Sequence, residues 1–323
     1  MKKNIFTIMM IFTVLFSSNA KASAIGIAKI SITVIDENGN PLADTKVRVR
    51  FSGGGKPVFN NTDDNGSSSI SESSNDGVVV GTAIRDGYYE STFHQDFYVK
   101  KLGFWQPFGK ELKVVMRPIV NPVPMYVRNR YFEFPKHDEK IGFDLEKADW
   151  VIPYGQGIKP DFVYEVKRRY INNDNFDATL TITFSNQFDG IQVYKDDAGD
   201  IFNVGSWFRL PRTAPLDGYM QKMQRHISKG SFGRVNDGAS DDNNFIFRVR
   251  SEVDQNGKLI RAMYGKIRGD IKFAPIGSMA SNEGVGAIGL HYYLNPDYTT
   301  NLEFDPKKNI FISLPRNENV KQP

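Results

Sequence analysis

The sequence predicts an all-β protein built from two units, and three observations carry that prediction. Apolar residues recur at every second position in several short runs. Clusters of Asp, Asn, Gly and Pro separate those runs. Only Leu216 to Ser228, with Tyr219, Met223 and Ile227 spaced by four and Asp217 placed to cap, has the period of a helix. The composition agrees: 40% hydrophobic, 13% aromatic and 24% charged residues describe a globular chain and exclude disorder, collagen and coiled coil.

Taken in order, the chain opens with MKKNIFTIMMIFTVLFSSNAKASA. Two lysines, an uncharged run from Ile5 to Phe16 and small closing residues make the three-part layout of a secretory signal, with cleavage expected after Ala22 or Ala24. The apolar run falls short of the roughly 20 residues that a spanning helix needs, so no transmembrane anchor is expected in the mature chain. Residues 1–24 are read as a signal peptide of bacterial form, and the product as periplasmic or secreted. Removing them from 323 residues leaves 299, enough for two domains at roughly 150 residues each. The chain has no Cys, which excludes disulfides, thiolate metal sites and cysteine nucleophiles. Lys2, Lys3 and Lys21 leave with the leader, so 38 of the 41 basic residues then face 37 acids; a net charge of +1 gives no nucleic-acid footprint.

The first unit is placed at residues 25–118. Ile30, Ile32 and Val34 alternate with Ser31 and Thr33, the pattern of a half-buried strand. Asp36 to Asn40 supplies a turn. Val47, Val49 and Phe51 then alternate with Lys46, Arg48 and Arg50, which puts three cations on a solvated face. A second turn lies at Asp63–Gly66, and the Ser-rich stretch from Ser67 to Asn75 reads as a mobile loop. Further strands are expected at Gly77–Ile84, Tyr88–Tyr98 and Leu112–Met116. Short strands separated by turns need a second layer to bury their apolar faces, hence a small β-sandwich. The segments ITVIDENGNPLADTKVRVRF, TDDNG and RDGYYES also resemble the carboxypeptidase regulatory-like domain. That resemblance covers about 90 residues and implies a transthyretin-like or Ig-like sandwich. It implies no activity, since such modules accompany enzymes, adhesins and transport receptors.

Pro118, Pro122 and Pro124 cannot sit in a central strand, so a Pro-rich linker is placed at 119–124. A larger, mainly antiparallel β domain is expected at 125–314, followed by a C-terminal tail at 315–323. Its strands are predicted at Phe162–Tyr170, Ala178–Phe184, Phe245–Val253 and Leu259–Ile271. Asp254-Gln255-Asn256-Gly257 between the last two is the clearest hairpin signal. PMYVR, GFDLEKADWVIPYGQG, FDATLTITFSN and FRVRSEVDQNGKLIRAMYGKIRGD resemble segments of a group of exported bacterial proteins. No mechanism comes with that resemblance.

Local catalytic signatures fail on context. Gly284, Gly286 and Gly289 spell G-x-G-x-x-G, but Leu290 to Leu294 reads as a strand where a nucleotide site needs a helix. His94, His137, His226 and His291 lack zinc-helix spacing, and the acidic loops Asp196–Asp200 and Asp237–Asn244 lack the alternation of a calcium loop. No G-x-S-x-G is present. No catalytic residue, metal ligand or cofactor is assigned. Three aromatics in loop-like settings are the candidate binding residues: Trp105 in GFWQPFG, Tyr154 in IPYGQG, and Trp207 beside Arg209 and Arg212. A flat ring with a polar tip suits stacking on a sugar or insertion into a partner pocket, although large aromatics more often anchor a core. Trp150, among Ala148, Val151 and Ile152, is assigned to the core. The expected function is non-enzymatic binding of a glycan or a partner protein in the envelope or outside it. The alternatives are a hydrolase of envelope polysaccharide with its site in the second unit, and a structural part of a surface assembly.

Overall fold

The computed structural model describes residues 25–196, 204–276 and 286–323. The expected signal peptide, Asp197–Asp200 of one acidic loop and Gly284 lie outside the described residues. Among the described residues every regular element is a strand, so the fold is all-β. Among the described residues no helix is long and apolar enough to cross a membrane.

Nine strands come from the first part of the chain: β1 (Gly26–Asp36), β2 (Lys46–Phe51), β3 (Val58–Asn61), β4 (Ser67–Ser74), β5 (Val78–Ile84), β6 (Ser91–Asp96), β7 (Val99–Lys101), β8 (Phe104–Gln106) and β9 (Lys110–Met116). One sheet runs β4-β1-β8-β7, with β9 also on β1; the other runs β3-β2-β5-β6 and ends on a short later strand, β16 (Gly205–Ser206). The alternation read from the sequence decides which side faces in. Ile30, Ile32 and Val34 of β1 and Val47, Val49 and Phe51 of β2 meet in one core, while Lys46, Arg48 and Arg50 point out.

Two expectations fail here. The Ser-rich stretch is strand β4, paired antiparallel with β1 from Gly26↔Ser74 to Thr33↔Ser67. Ile70 and the small hydroxyl side chains of Ser68 and Ser74 face inward, so pairing and burial override poor strand propensity. GFWQPFG is not an exposed loop around its tryptophan. Trp105 sits on β8, is buried in the same core, and donates its indole N–H to Ser74 O at 3.0 Å.

The remaining strands are β10 (Val123–Glu133), β11 (Lys140–Asp144), β12 (Asp149–Trp150), β13 (Phe162–Asn172), β14 (Asn175–Thr183), β15 (Gly190–Lys195), β17 (Lys222–Gly230), β18 (Gly233–Asp237), β19 (Asn243–Val253), β20 (Leu259–Ile267), β21 (Lys272–Ala274), β22 (Ala287–Asn295) and β23 (Phe304–Asn309). They form the sheets β12-β11-β13-β14-β17-β18 and β15-β19-β20-β22-β10-β23, with β21 on β22. A core that includes Phe143, Phe162, Leu180, Phe247, Leu290 and Trp150 fills the space between them. The hairpin at Asp254–Gly257 forms as read, with Gly257 at φ +77. Leu216 to Ser228 is not a helix; its second half is β17. A spacing of four is even and fits a strand as well as a helix. Buried Arg225, between inward Met223 and Ile227, hides the two-residue alternation.

The Pro-rich linker is shorter than expected, because Val123 and Pro124 open β10, between β22 and β23; cores lie on either side of residues 119–122, and a domain division there is a proposal. The segment is fastened on both sides: Ile119 N–H donates to Gly87 O, while Val120 and Asn121 N–H donate to the buried carboxylate of Glu303. Glu303 also accepts the Tyr89 hydroxyl at 2.7 Å. Arg117 and Arg212 share Glu37, and Arg117 Nη1 donates to the carbonyls of Phe208, Arg209 and Leu210.

Candidate binding groove

The outer face of the sheet containing β10, β20 and β22 is covered at one end and open at the other. At the covered end, Phe208 of the segment leading out of β16 lies over Lys266, whose ammonium sits 4.7 Å from the ring centroids of both Phe208 and Tyr293. Burial, with Arg268 and Arg117 nearby, pushes the Lys266 pKa far below that of an ordinary lysine. Ala214 and Leu302 extend the cover over Ile246, Ala262 and Tyr264, and Val320 of the tail packs on Met125, Val127 and Tyr293.

The open end is a groove of about 650 Å³. Strand register places its floor. Asn129 of β10 is opposite His291 of β22, whose carbonyl accepts the Arg268 N–H. One row along, Tyr131 is opposite Gly289, which is opposite Lys272 of β21. A Cβ on Gly289 would lie 2.8–3.1 Å from three carbons of the Tyr131 ring. The glycine therefore allows the ring to lie flat on the backbone while 56% of the residue stays exposed. A ring held this way is an aromatic platform at low entropic cost, because its packing already limits its rotamers.

The polar groups around the platform are ordered from behind. Tyr293 donates its hydroxyl proton to Gln322 O at 3.2 Å, and a carbonyl can only accept. The pattern therefore assigns the proton on His291 to Nε2, which donates to the Tyr293 oxygen at 3.0 Å and leaves Nδ1 as an acceptor. Burial, with Arg268 and Lys266 adding repulsion, lowers the His291 pKa to about 3. Arg268 is near enough to the Tyr293 hydroxyl to oppose the rise that burial gives its pKa, and its buried Nη1 has no protein hydrogen-bond partner.

Asp241 and Asp270 form the far wall and are shared with an adjoining recess of about 490 Å³. Asp270 is fixed by Arg225, by Asn243 Nδ2 at 3.0 Å and by Ser240 N–H at 3.4 Å. Burial raises its carboxyl pKa despite the opposing pull of Asn243 and Arg225. The groove thus offers one flat apolar surface edged by a guanidinium, an ammonium, an imidazole acceptor, two amides and two carboxylates. That set can stack on a pyranose face and hydrogen-bond its hydroxyls.

A second group of acids is sealed. Arg250, held at φ +54, reaches Asp161 at 2.7 and 2.8 Å, Asp144 at 3.0 Å, and Glu146. Asp144 also accepts N–H from Ile158 and Lys159, and Asp161 accepts that of Leu145. With their oxygens filled by the protein, these carboxylates hold loops together. No group of three or more ligand-type side chains that could hold a metal occurs among the described residues.

The structure does not bring Trp105, Tyr154 and Trp207 together, and none of them lines the groove. Trp105 is a core anchor. Tyr154, about a third exposed, follows β12 and donates its hydroxyl to Glu139 at 2.5 Å. Trp207 is half-buried and its backbone N–H donates to Glu90 O next to the β16–β6 pair. Trp150 is in the core, as read. Sequence reading missed Tyr131, Asn129, Arg268, Lys272 and His291 as a set. The available signal was Asn129 and Tyr131 on one side of a strand with Val127, but the opposing glycine is known only from register.

No family model and no curated protein matches the chain. Solved structures overlap it weakly. A streptococcal ancillary pilin is similar at 8% identity over 81% of this chain, with a TM-score of 0.23; the chain spans 58% of the length of that protein. A DUF3823 family protein from Parabacteroides merdae shares 12% identity over 74% of this chain and 96% of its own, with a TM-score of 0.21. The major pilin subunit of Bacillus cereus shares 9% identity over 83% and 85%, with a TM-score of 0.23. Overlaps of this size fix neither topology nor function.

Proposed function

We propose that this is an exported, non-enzymatic binding protein of the bacterial envelope or exterior, and that its ligand is a glycan held in the groove over Tyr131. The observation that carries this reading is the exposed tyrosine ring lying flat on Gly289 and edged by polar side chains held from behind. Periplasmic or secreted placement rests on the layout of residues 1–24. Trp105, Tyr154 and Trp207 contribute nothing to this groove.

The test is titration calorimetry of the protein against envelope and capsular polysaccharide fragments. Removing a central aromatic contact costs about 2 kcal/mol, roughly thirtyfold in affinity. Tyr131→Ala should lose that much while its melting temperature stays within a few degrees of the parent. Absence of binding by the parent to any fragment, or equal binding by the variant, sinks the glycan reading.

One observation favours a second reading, hydrolysis of an envelope polysaccharide: two carboxylates, Asp241 and Asp270, share the groove, and burial raises the Asp270 pKa. Release of new reducing ends by the parent, lost in Asp270→Asn, would establish it. Binding without release leaves the non-enzymatic reading standing.

A further inference from the structure

Seven large apolar side chains are exposed together at one end of the first sandwich. Ile27 of β1 is the register partner of Phe104 on β8, and its N–H donates to Gly103 O. The Phe104 and Phe108 rings meet edge to face with centroids 5.1 Å apart. Val99 pairs with Gln106 across the β7–β8 hairpin, Tyr98 precedes it, and Leu102 is at its tip. Ile25 adjoins at the start of β1. Leu102 is 98% exposed, Tyr98 86% and Ile25 63%. Scattered exposed apolar residues need no explanation, but a contiguous set marks a contact surface.

Leu102 sharpens the point. Its backbone is at φ +49, in the left-handed region, where asparagine or glycine sits freely and leucine pays a steric penalty. The hairpin therefore carries, at its most solvent-exposed position, a side chain favourable neither for the turn nor for solubility. The floor beneath is rigid: Trp105 is buried, and Lys100 lies over its ring at 5.7 Å.

Charge identifies the occupant. Lys101 flanks Leu102, and Lys29 stands 5.8 Å from the Phe108 ring centroid. Neither lysine is in an ion pair among the described residues. Of the acids nearby, Asp96 of β6 is tied to His94 at 2.8 Å, while Glu72 of β4 lies opposite Ala28 and Glu111 of β9 opposite Ser31, further along β1 from the hairpin tip. Apolar tips ringed by lysines suit a bilayer with anionic headgroups: the tips enter the acyl boundary and the ammonium groups meet phosphates.

We infer that the β7–β8 end of the first sandwich is a peripheral docking surface for an anionic membrane, formed by Ile27, Leu102, Phe104 and Phe108 with Lys29 and Lys101. This surface is independent of the groove over Tyr131. Docking here would leave the groove, on the other sandwich, available to a ligand.

The test is co-sedimentation of the full chain, recovered from an exporting host so that any leader is processed, with vesicles of phosphatidylcholine alone or with about a third phosphatidylglycerol. The parent should bind the anionic vesicles and release as salt rises toward a Debye length of about 3 Å. Leu102→Asn suits the turn and keeps the fold, and it should lower the partition coefficient about tenfold by removing one buried leucine. Lys101→Glu should act on anionic vesicles alone. No vesicle binding, equal binding to neutral vesicles, or equal binding by Leu102→Asn overturns the inference. So does sedimentation equilibrium showing a dimer that Leu102→Asn dissolves, because the patch is then covered by a second copy.

Discussion

The two ends of one sheet face differ in what covers them. At one end, Phe208 covers Lys266, Leu302 covers Tyr264 and Val320 covers Tyr293, and the face is dry enough to depress a lysine. A few residues along the same strands, Asn129, Tyr131, Arg268 and His291 line an open groove. Strand pairing continues across both ends. The difference lies in whether another segment of the chain crosses the face, which is closed on one side and left open on the other.

The largest effect that would break this contrast is removal of the cover. Phe208→Ala deletes a fully buried ring and opens Lys266 to water, so we expect a loss of about 3–5 kcal/mol in unfolding free energy by urea titration. A loss below about 1 kcal/mol would mean that Phe208 is not holding the cover down. His291, on the boundary between the two ends, gives the next effect. Its folded pKa, about 3, is depressed from the unfolded value of 6.5, so its contribution is full above pH 6.5 and is lost as pH falls toward 3. The slope should be roughly 1.4 kcal/mol per pH unit across that window. His291→Gln should flatten this part of the stability-versus-pH curve; an unchanged slope assigns the acid sensitivity elsewhere. The smallest effect on stability belongs to the open end. Gly289→Ala forces the Tyr131 ring off the backbone, but the ring can swing into solvent, so the cost should stay under about 1 kcal/mol. Glycan affinity should nonetheless fall toward that of Tyr131→Ala. Full affinity in Gly289→Ala would show that the flat seating of the ring is dispensable.

The same contrast explains what could be read from the sequence. Alternation in β1, β2, β13, β14 and β19 is a local property, and it located these strands and the inward faces of the first core. It failed wherever a distant partner decided the outcome. β4 is a strand because β1 needs a neighbour, and β17 hid its period because Arg225 goes inward to Asp270. The groove was illegible for a related reason. Tyr131 and Gly289 are 158 positions apart, and only the register between β10 and β22 makes one the seat of the other. Loop-like settings mark Trp105, Tyr154 and Trp207 in the sequence, whereas the exposed ring of Tyr131 lies within a strand and has no local mark.

The pairing of β16 with β6 also sets an order in time. Thr92 meets Gly205 across 113 residues of chain, and Tyr89 meets Glu303 across 214. A chain growing from its N-terminus can close the core between β1, β2 and β5 early, because all of those contacts lie before residue 118. The free edge of β6 must then wait until residues 205–206 have been made, and the Tyr89 hydroxyl must wait for Glu303 near the end of synthesis. During that interval an unpaired strand edge is open to pairing with another copy. Any factor that holds the nascent chain apart from its neighbours should therefore matter most between those two points of synthesis.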